Sequence, residues 1–146
     1  FYIVGSNATD EIKAVHNEEK GIIFKGFVSE EELKRFYETV KLVVVPLRYG
    51  AGVKGKVIEA LYYGDPVITT AVGAEGIDNS YNQMDVADEP DDFIKECIAL
   101  YKSNERLNNM HLAAREYIKK KHSIEAVWSI IKDDFIVNDK NICRLL

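Results

Sequence analysis

Apolar residues fall along this chain in two rhythms. Up to residue 87 they gather in short continuous runs: "FYIV" at 1–4, "IIF" at 22–24, "LVVV" at 42–45 and "PVIT" at 66–69, with a weaker "MDVA" at 84–87. These runs are apolar on successive positions rather than alternating. That pattern predicts strands covered on both faces, as in a parallel sheet. Between them lie stretches of helical period at 8–17, 29–40 and 53–63. The second opens with Ser29 and has Glu32 three residues on, the spacing of a capping box. It predicts burial of Leu33, Phe36, Tyr37 and Val40. The third stretch is closed by Gly64. Strands alternating with helices predict an α/β fold: a Rossmann-like parallel sheet flanked by helices.

From residue 90 the period is helical throughout, over 90–102, 105–120 and 123–135. Pro90 suits a first helical turn and Ser123 an N-cap. Ala126, Val127, Ile130 and Ile131 form an apolar stripe, with Trp128 and Phe135 beside it. The tail "VNDKNICRLL" has no period. No repeat or low-complexity linker interrupts the chain. The expectation is one domain over 1–146, with 90–146 as its helical C-terminal end.

Composition narrows the function classes. The chain has 146 residues, 47% of them hydrophobic, which is enough for a core at this length. Its net charge of −5, with "KKKH" at 119–122 as the longest basic block, argues against nucleic acid as a partner. Cys97 and Cys143 lack metal-ligand spacing and read as free thiols of a reducing compartment. No apolar run approaches the ~20 residues of a membrane span. The chain begins in mid-strand without Met, so it is expected to be a fragment of a longer protein.

Ligands of open α/β sheets bind at the carboxyl ends of the strands. The segment "PLRYGAGVKGK", 46–56, leaves such an end and runs into a helix. Gly50 and Gly52 permit close backbone approach, and the helix start offers free N–H groups and a partial positive charge. Arg48, Lys54 and Lys56 add full charges. Together these features predict an anion site, most naturally for phosphates, against the alternative of a tight turn with solvated lysines. The motif is neither a Walker loop nor GxGxxG. Glu59 lies further along the helix beside Val57, Ala60 and Leu61, so it is expected to be partly covered. It reads either as a ligand for a ribose hydroxyl pair or as a surface partner of Lys56. Glu75 sits in a second glycine turn, between Gly73 and Gly76, after the next strand.

The block "VVVPLRYGAGVKGKVIEALYYGDPVITTAVGAEGI" resembles the signature region of family 4 (group 1) glycosyltransferases, in the C-terminal, donor-binding domain of the GT-B fold. "YIVGSN", "IIFKGFVSEEELKRFY", "VADEPDDFIKECIALY" and "AAREYIKKKHSIEAVW" fit the same domain in order. The resemblance implies two Rossmann-like domains facing a cleft. The acceptor-binding domain, and the first strand and helix of this one, would be missing here. It implies that Glu59 bonds the donor ribose, that Gly50, Ala51, Gly52, Val53 and Lys54 face the sugar and diphosphate, and that Phe27 and Val28 line the base. Arg48, Lys54 and Lys56 would neutralise phosphate charge, and Lys54 and Glu59 are the catalytic candidates. The family's paired-glutamate motif has its first Glu eight residues before the second; Ala51 stands there in this chain. How the donor sugar is oriented is therefore in doubt.

The reaction so implied moves a hexosyl group from a nucleoside diphosphate sugar to an acceptor hydroxyl, with retained configuration, no metal and no further cofactor. The acceptor would be a glycan or a lipid-linked glycan held by the missing N-terminal domain. The expected location is cytoplasmic, in bacterial polysaccharide synthesis, with any peripheral contact at the inner membrane belonging to the missing half. His16, His111 and His122 lie away from the strand ends and are assigned no role, and the acidic pairs at 91–92 and 133–134 read as solvated charge. A GT-B epimerase would need other acidic and His residues around its cleft. A receiver domain would need an acidic pair after "FYIVGSN". The remaining alternative is a non-catalytic α/β module that binds a phosphorylated ligand or a protein partner.

Overall fold

The computed structural model describes residues 1–135; the aperiodic tail and Cys143 lie outside the described residues. The chain divides into two compact units, Phe1–Thr39 and Val40 onward. The first holds β1 (Tyr2–Val4), α1 (Asp10–Ala14), β2 (Ile23–Gly26) and α2 (Glu30–Thr39). β1 and β2 pair in parallel, Tyr2 opposite Ile23. Thr9 caps α1, its Oγ1 accepting from Ile12 N–H at 3.4 Å. This helix is shorter than its pattern suggests, because Asn17 turns the chain and bridges to Ile22. Ser29 caps α2 as expected, accepting from Glu32 N–H at 3.2 Å. The α2 residues Leu33, Phe36 and Tyr37, and Val40 just beyond it, are half-buried rather than buried. The Phe36 ring packs on Tyr2 at 5.0 Å between centroids.

The second unit carries β3 (Val43–Val45), α3 (Gly55–Tyr63), β4 (Val67–Thr69), α4 (Ala71–Ala74), β5 (Met84–Val86), α5 (Pro90–Lys102), α6 (Asn104–Lys121) and α7 (Ile124–Phe135). Its sheet is parallel in the order β3-β4-β5, with Val43 opposite Val67 and Val67 opposite Met84. β4 is buried along its whole length, as its continuous apolar run predicts. Ile68 meets Phe93, Leu100 and Met110 from α5 and α6, with Leu42, Val44, Ala87 and Cys97 around them. Thr69 belongs to the same strand and is fully buried; its Oγ1 donates to Val45 O at 2.8 Å.

Local chemistry sets the ends of these elements. Gly64 ends α3 in the left-handed region at φ +83°, its N–H and that of Asp65 reaching back to Leu61 and Ala60 carbonyls. Pro90 opens α5, and Ser123 Oγ accepts from Ala126 N–H at the start of α7. Within the apolar stripe of α7, Ala126 and Ile131 are half-buried, while Val127 and Ile130 are exposed. α4 has no counterpart in the sequence reading. It is a single turn capped by Thr70, whose Oγ1 accepts from Gly73 N–H and donates to Leu47 O. No described helix is long and apolar enough to cross a membrane.

Candidate functional site

β3 and β4 are adjacent and parallel, so their carboxyl ends deliver two loops side by side. The first, 46–54, runs from β3 to α3. The second, after β4, holds α4 and the turn at Glu75 and Gly76. Thr70 ties the base of the second loop to Leu47 in the first. Gly76, at φ +73°, is in contact with Val53; a Cβ there would lie 2.8 Å from Val53 Cγ2. The helix therefore starts at Gly55, not at 53. Val53 is held against the neighbouring loop, and Lys54 is the N-cap in extended conformation.

Lys54 defines the local geometry. Its side chain is only 10% exposed. It folds back so that Nζ donates to Gly50 O at 3.3 Å, to Gly52 O, and to Glu75 Oε2 at 3.1 Å. Gly50 and Gly52 both have positive φ, +123° and +74°, a backbone region open to glycine, and both of their carbonyls accept from the ammonium. A Cβ at Gly50 would lie 3.4 Å from Lys54 Cε. Glu75 is the residue whose part the sequence only half disclosed. Its signal was its place after β4, one strand over from the Lys54 loop.

The start of α3 differs from those of the other helices longer than one turn among the described residues. α1, α2, α5, α6 and α7 each carry acidic residues in the first turn, which complement the helix dipole. α3 carries none; Lys56 stands in its first turn, and no side chain caps it. Its free N–H groups and the exposed Arg48 and Lys56 are thus available to an anion.

The remaining candidates are distributed as follows. Gly50, Ala51, Gly52 and Val53 are exposed along the loop. Glu59, expected to be partly covered, is exposed, because Val57, Ala60 and Leu61 turn the opposite side of α3 to the core. Phe27 and Val28 belong to the first unit, between β2 and α2; the Phe27 ring is 82% exposed and Val28 half-buried. The three histidines make structural bonds. His16 Nδ1 accepts from Phe24 N–H, His111 Nδ1–H donates to Gly64 O at 2.7 Å, and His122 bonds Tyr117 OH. Asp91 and Asp92 are exposed, with Asp92 paired to Lys95. The side chains at 133–134 lie outside the described residues. Cys97 is a half-buried free thiol whose pKa is pushed up by burial and by Glu96.

A family model described as "Glycosyl transferases group 1" matches residues 1–103, from β1 to the end of α5, and so includes both loops. The chain belongs to the group 1 glycosyl transferases. No curated protein matches it. The chemistry of this family is the transfer of a glycosyl group. Glycine turns, cations and free N–H groups at a helix start are the features that can bind an anion.

Proposed function

We propose that the chain is the C-terminal, donor-binding domain of a family 4 GT-B glycosyltransferase. In this reading it binds a nucleoside diphosphate sugar, and the full-length enzyme transfers a hexosyl group to the hydroxyl of a glycan or lipid-linked acceptor. The observation that carries the reading is the start of α3. It is uncapped and free of acidic residues, with Lys56 in its first turn, and the Gly50–Gly52 loop precedes it.

The residues divide the work by chemistry. The α3 N–H groups, Lys56 and Arg48 receive the diphosphate and offset the charge that grows on it as the glycosidic bond breaks. Such preorganised donors stabilise a leaving group without a metal. Lys54 adds a further cation from beneath the loop. Glu59, exposed further along the same helix, takes the ribose hydroxyls, which are neutral and tolerate a carboxylate where the phosphates would not. No nucleophile is assigned, and transfer proceeds with retention.

The test is calorimetric titration of the full-length protein with UDP, GDP, ADP and CDP, in parallel with Glu59→Ala. One diphosphate is expected to bind, and to lose about 1–2 kcal/mol when the charged hydrogen-bond partner is removed. A second reading is favoured by Ala51, which leaves the loop without the family's first carboxylate: a non-catalytic module that binds a phosphorylated ligand or a partner. A wild-type protein that binds a diphosphate yet neither transfers nor hydrolyses any donor sugar would establish that reading instead.

A further inference from the structure

Lys54 has three ammonium protons, and three acceptors take them: Gly50 O, Gly52 O and Glu75 Oε2. The cation beneath the loop of the proposed phosphate site is thus already neutralised from within the protein. The three partners differ in how readily they can leave. The two carbonyls belong to Lys54's own loop, two and four residues back, and move only if the loop rebuilds. Glu75 comes from the neighbouring loop, 21 residues on, and its side chain is 50% exposed. Its carboxylate can turn to water, where it is fully solvated, at little cost. An anion arriving at the start of α3 meets both the carboxylate's repulsion and the opportunity to replace it on Nζ.

We propose that Glu75 is a built-in counter-ion for Lys54, holding the ammonium beneath the Gly50–Gly52 loop until a diphosphate oxygen takes the place of its carboxylate. Glu75 then sets the affinity for the diphosphate without touching the base. It keeps Lys54 ordered and nine-tenths buried while the site is empty, so the cation is delivered in place rather than gathered from solvent. It also weakens the product complex, because the carboxylate competes with the nucleoside diphosphate left after transfer. This proposal deepens the donor-site reading and rests on it.

The experiment compares wild type with Glu75→Gln in the full-length protein, titrated with UDP, GDP, ADP and CDP and with the four matching nucleosides. Glutamine keeps the length and a hydrogen bond to Lys54 but removes the charge. The diphosphate that wild type binds is expected to bind the Gln variant about fivefold tighter, as loss of one nearby like charge implies. Affinity for the matching nucleoside should stay the same, and Glu75→Asp should remain within about twofold of wild type for both ligands. Unchanged or weaker diphosphate binding in the Gln variant would overturn the proposal, as would an equal change for the nucleoside, which marks a merely structural effect. Failure of wild type to bind any of the four diphosphates would instead overturn the donor-site reading, and ligand exchange at Lys54 with it. Hydrogen exchange across 50–55 still reads the clip in that case. It should quicken in Glu75→Gln if the carboxylate holds the loop, and unchanged exchange would show that it does not.

Discussion

His111 and Gly64 are locked together at the end of α3 nearest α6. His111 Nδ1–H donates to Gly64 O at 2.7 Å, and a Cβ at Gly64 would lie 3.0 Å from the same ring. Gly64 is also at φ +83°, where an L side chain is strained. Gly64→Ala is expected to cost about 1–2 kcal/mol of stability. His111→Ala should cost about 1 kcal/mol, for the lost hydrogen bond. The double variant should cost less than the sum, because removing the ring relieves the contact while the φ penalty remains. Urea denaturation of the four proteins checks this; strict additivity would show that the ring does not press on position 64.

Gly73 answers to a different constraint. Its backbone is not strained, but a Cβ there would sit 1.8 Å from Thr69 Oγ1, which donates to Val45 O. Gly73→Ala therefore forces Thr69 off that bond or moves α4. The expected loss is about 2–3 kcal/mol, typical of overpacking a filled interior. Adding Thr69→Ala should recover part of the loss, and thermal melts of the single and double variants decide the matter.

Asp65 makes stability depend on pH. Its side chain is buried, with 6% of the residue exposed, and Oδ2 has no hydrogen-bond partner. Burial raises its pKa from 3.8 to about 7. The native state thus holds this proton over a range where the unfolded chain has released it. Stability contributed here is present below the unfolded value near 4 and is lost as pH rises to about 7. At ~1.36 kcal/mol per unit the full effect is about 4 kcal/mol, and relaxation around the charge makes about 2 kcal/mol the expected size. Asp65→Asn cannot ionise. Whatever its offset at pH 4, it should gain on wild type by that amount between pH 4 and 8. Parallel slopes would mean that the carboxyl finds a partner or water when ionised.

Arg106 joins two carboxylates from different elements, Asp85 of β5 at 2.6 Å and Glu96 of α5 at 2.5 Å. Burial raises the pKa of Asp85, Arg106 lowers it, and Glu96 raises it further. Arg106→Ala removes the opposing charge and leaves two acids facing each other. Because these groups are a quarter to two-fifths exposed, the expected loss is only about 1–2 kcal/mol at neutral pH. It should shrink in high salt, and as pH falls and Asp85, whose pKa is raised by burial, takes up a proton. A loss independent of both would point to packing of the arginine stem instead.

How much of this was legible in the sequence depends on range. β4 was readable because "PVIT" is apolar on successive residues, and it is buried on both faces. The caps at Ser29, Gly64 and Ser123 were readable because a cap is chosen by neighbours three or four residues away. α4 was not, since one turn has no period and Thr70 caps it while also holding Leu47 across the strands. Val53 has the right neighbours for a helix, yet contact with Gly76 keeps it in the loop. Asp65 looks like a turn residue between Gly64 and Pro66 and is buried all the same. The cations of the candidate site were visible, but the pairing of Lys54 with Glu75 is a product of strand order, and no local pattern records it.

Lys56 sets stability against binding. It places a positive charge in the first turn of α3, where the helix dipole is also positive and no acidic residue compensates. Lys56→Glu should therefore stabilise the protein by about 0.5 kcal/mol, since an acid at that position complements the dipole. The same exchange turns an attraction for phosphate into a repulsion. Nucleoside diphosphate binding should fall by at least about tenfold at low salt, and by less at high ionic strength. Denaturation and calorimetric titration on the same preparation measure both quantities. Opposite signs are the expected result, because a lysine that weakens its own helix needs another reason to stand there, and an anion at the helix start supplies one. If binding is unmoved while stability rises, Lys56 faces solvent in the complex, and the phosphate charge is met by Arg48, Lys54 and the helix N–H groups alone.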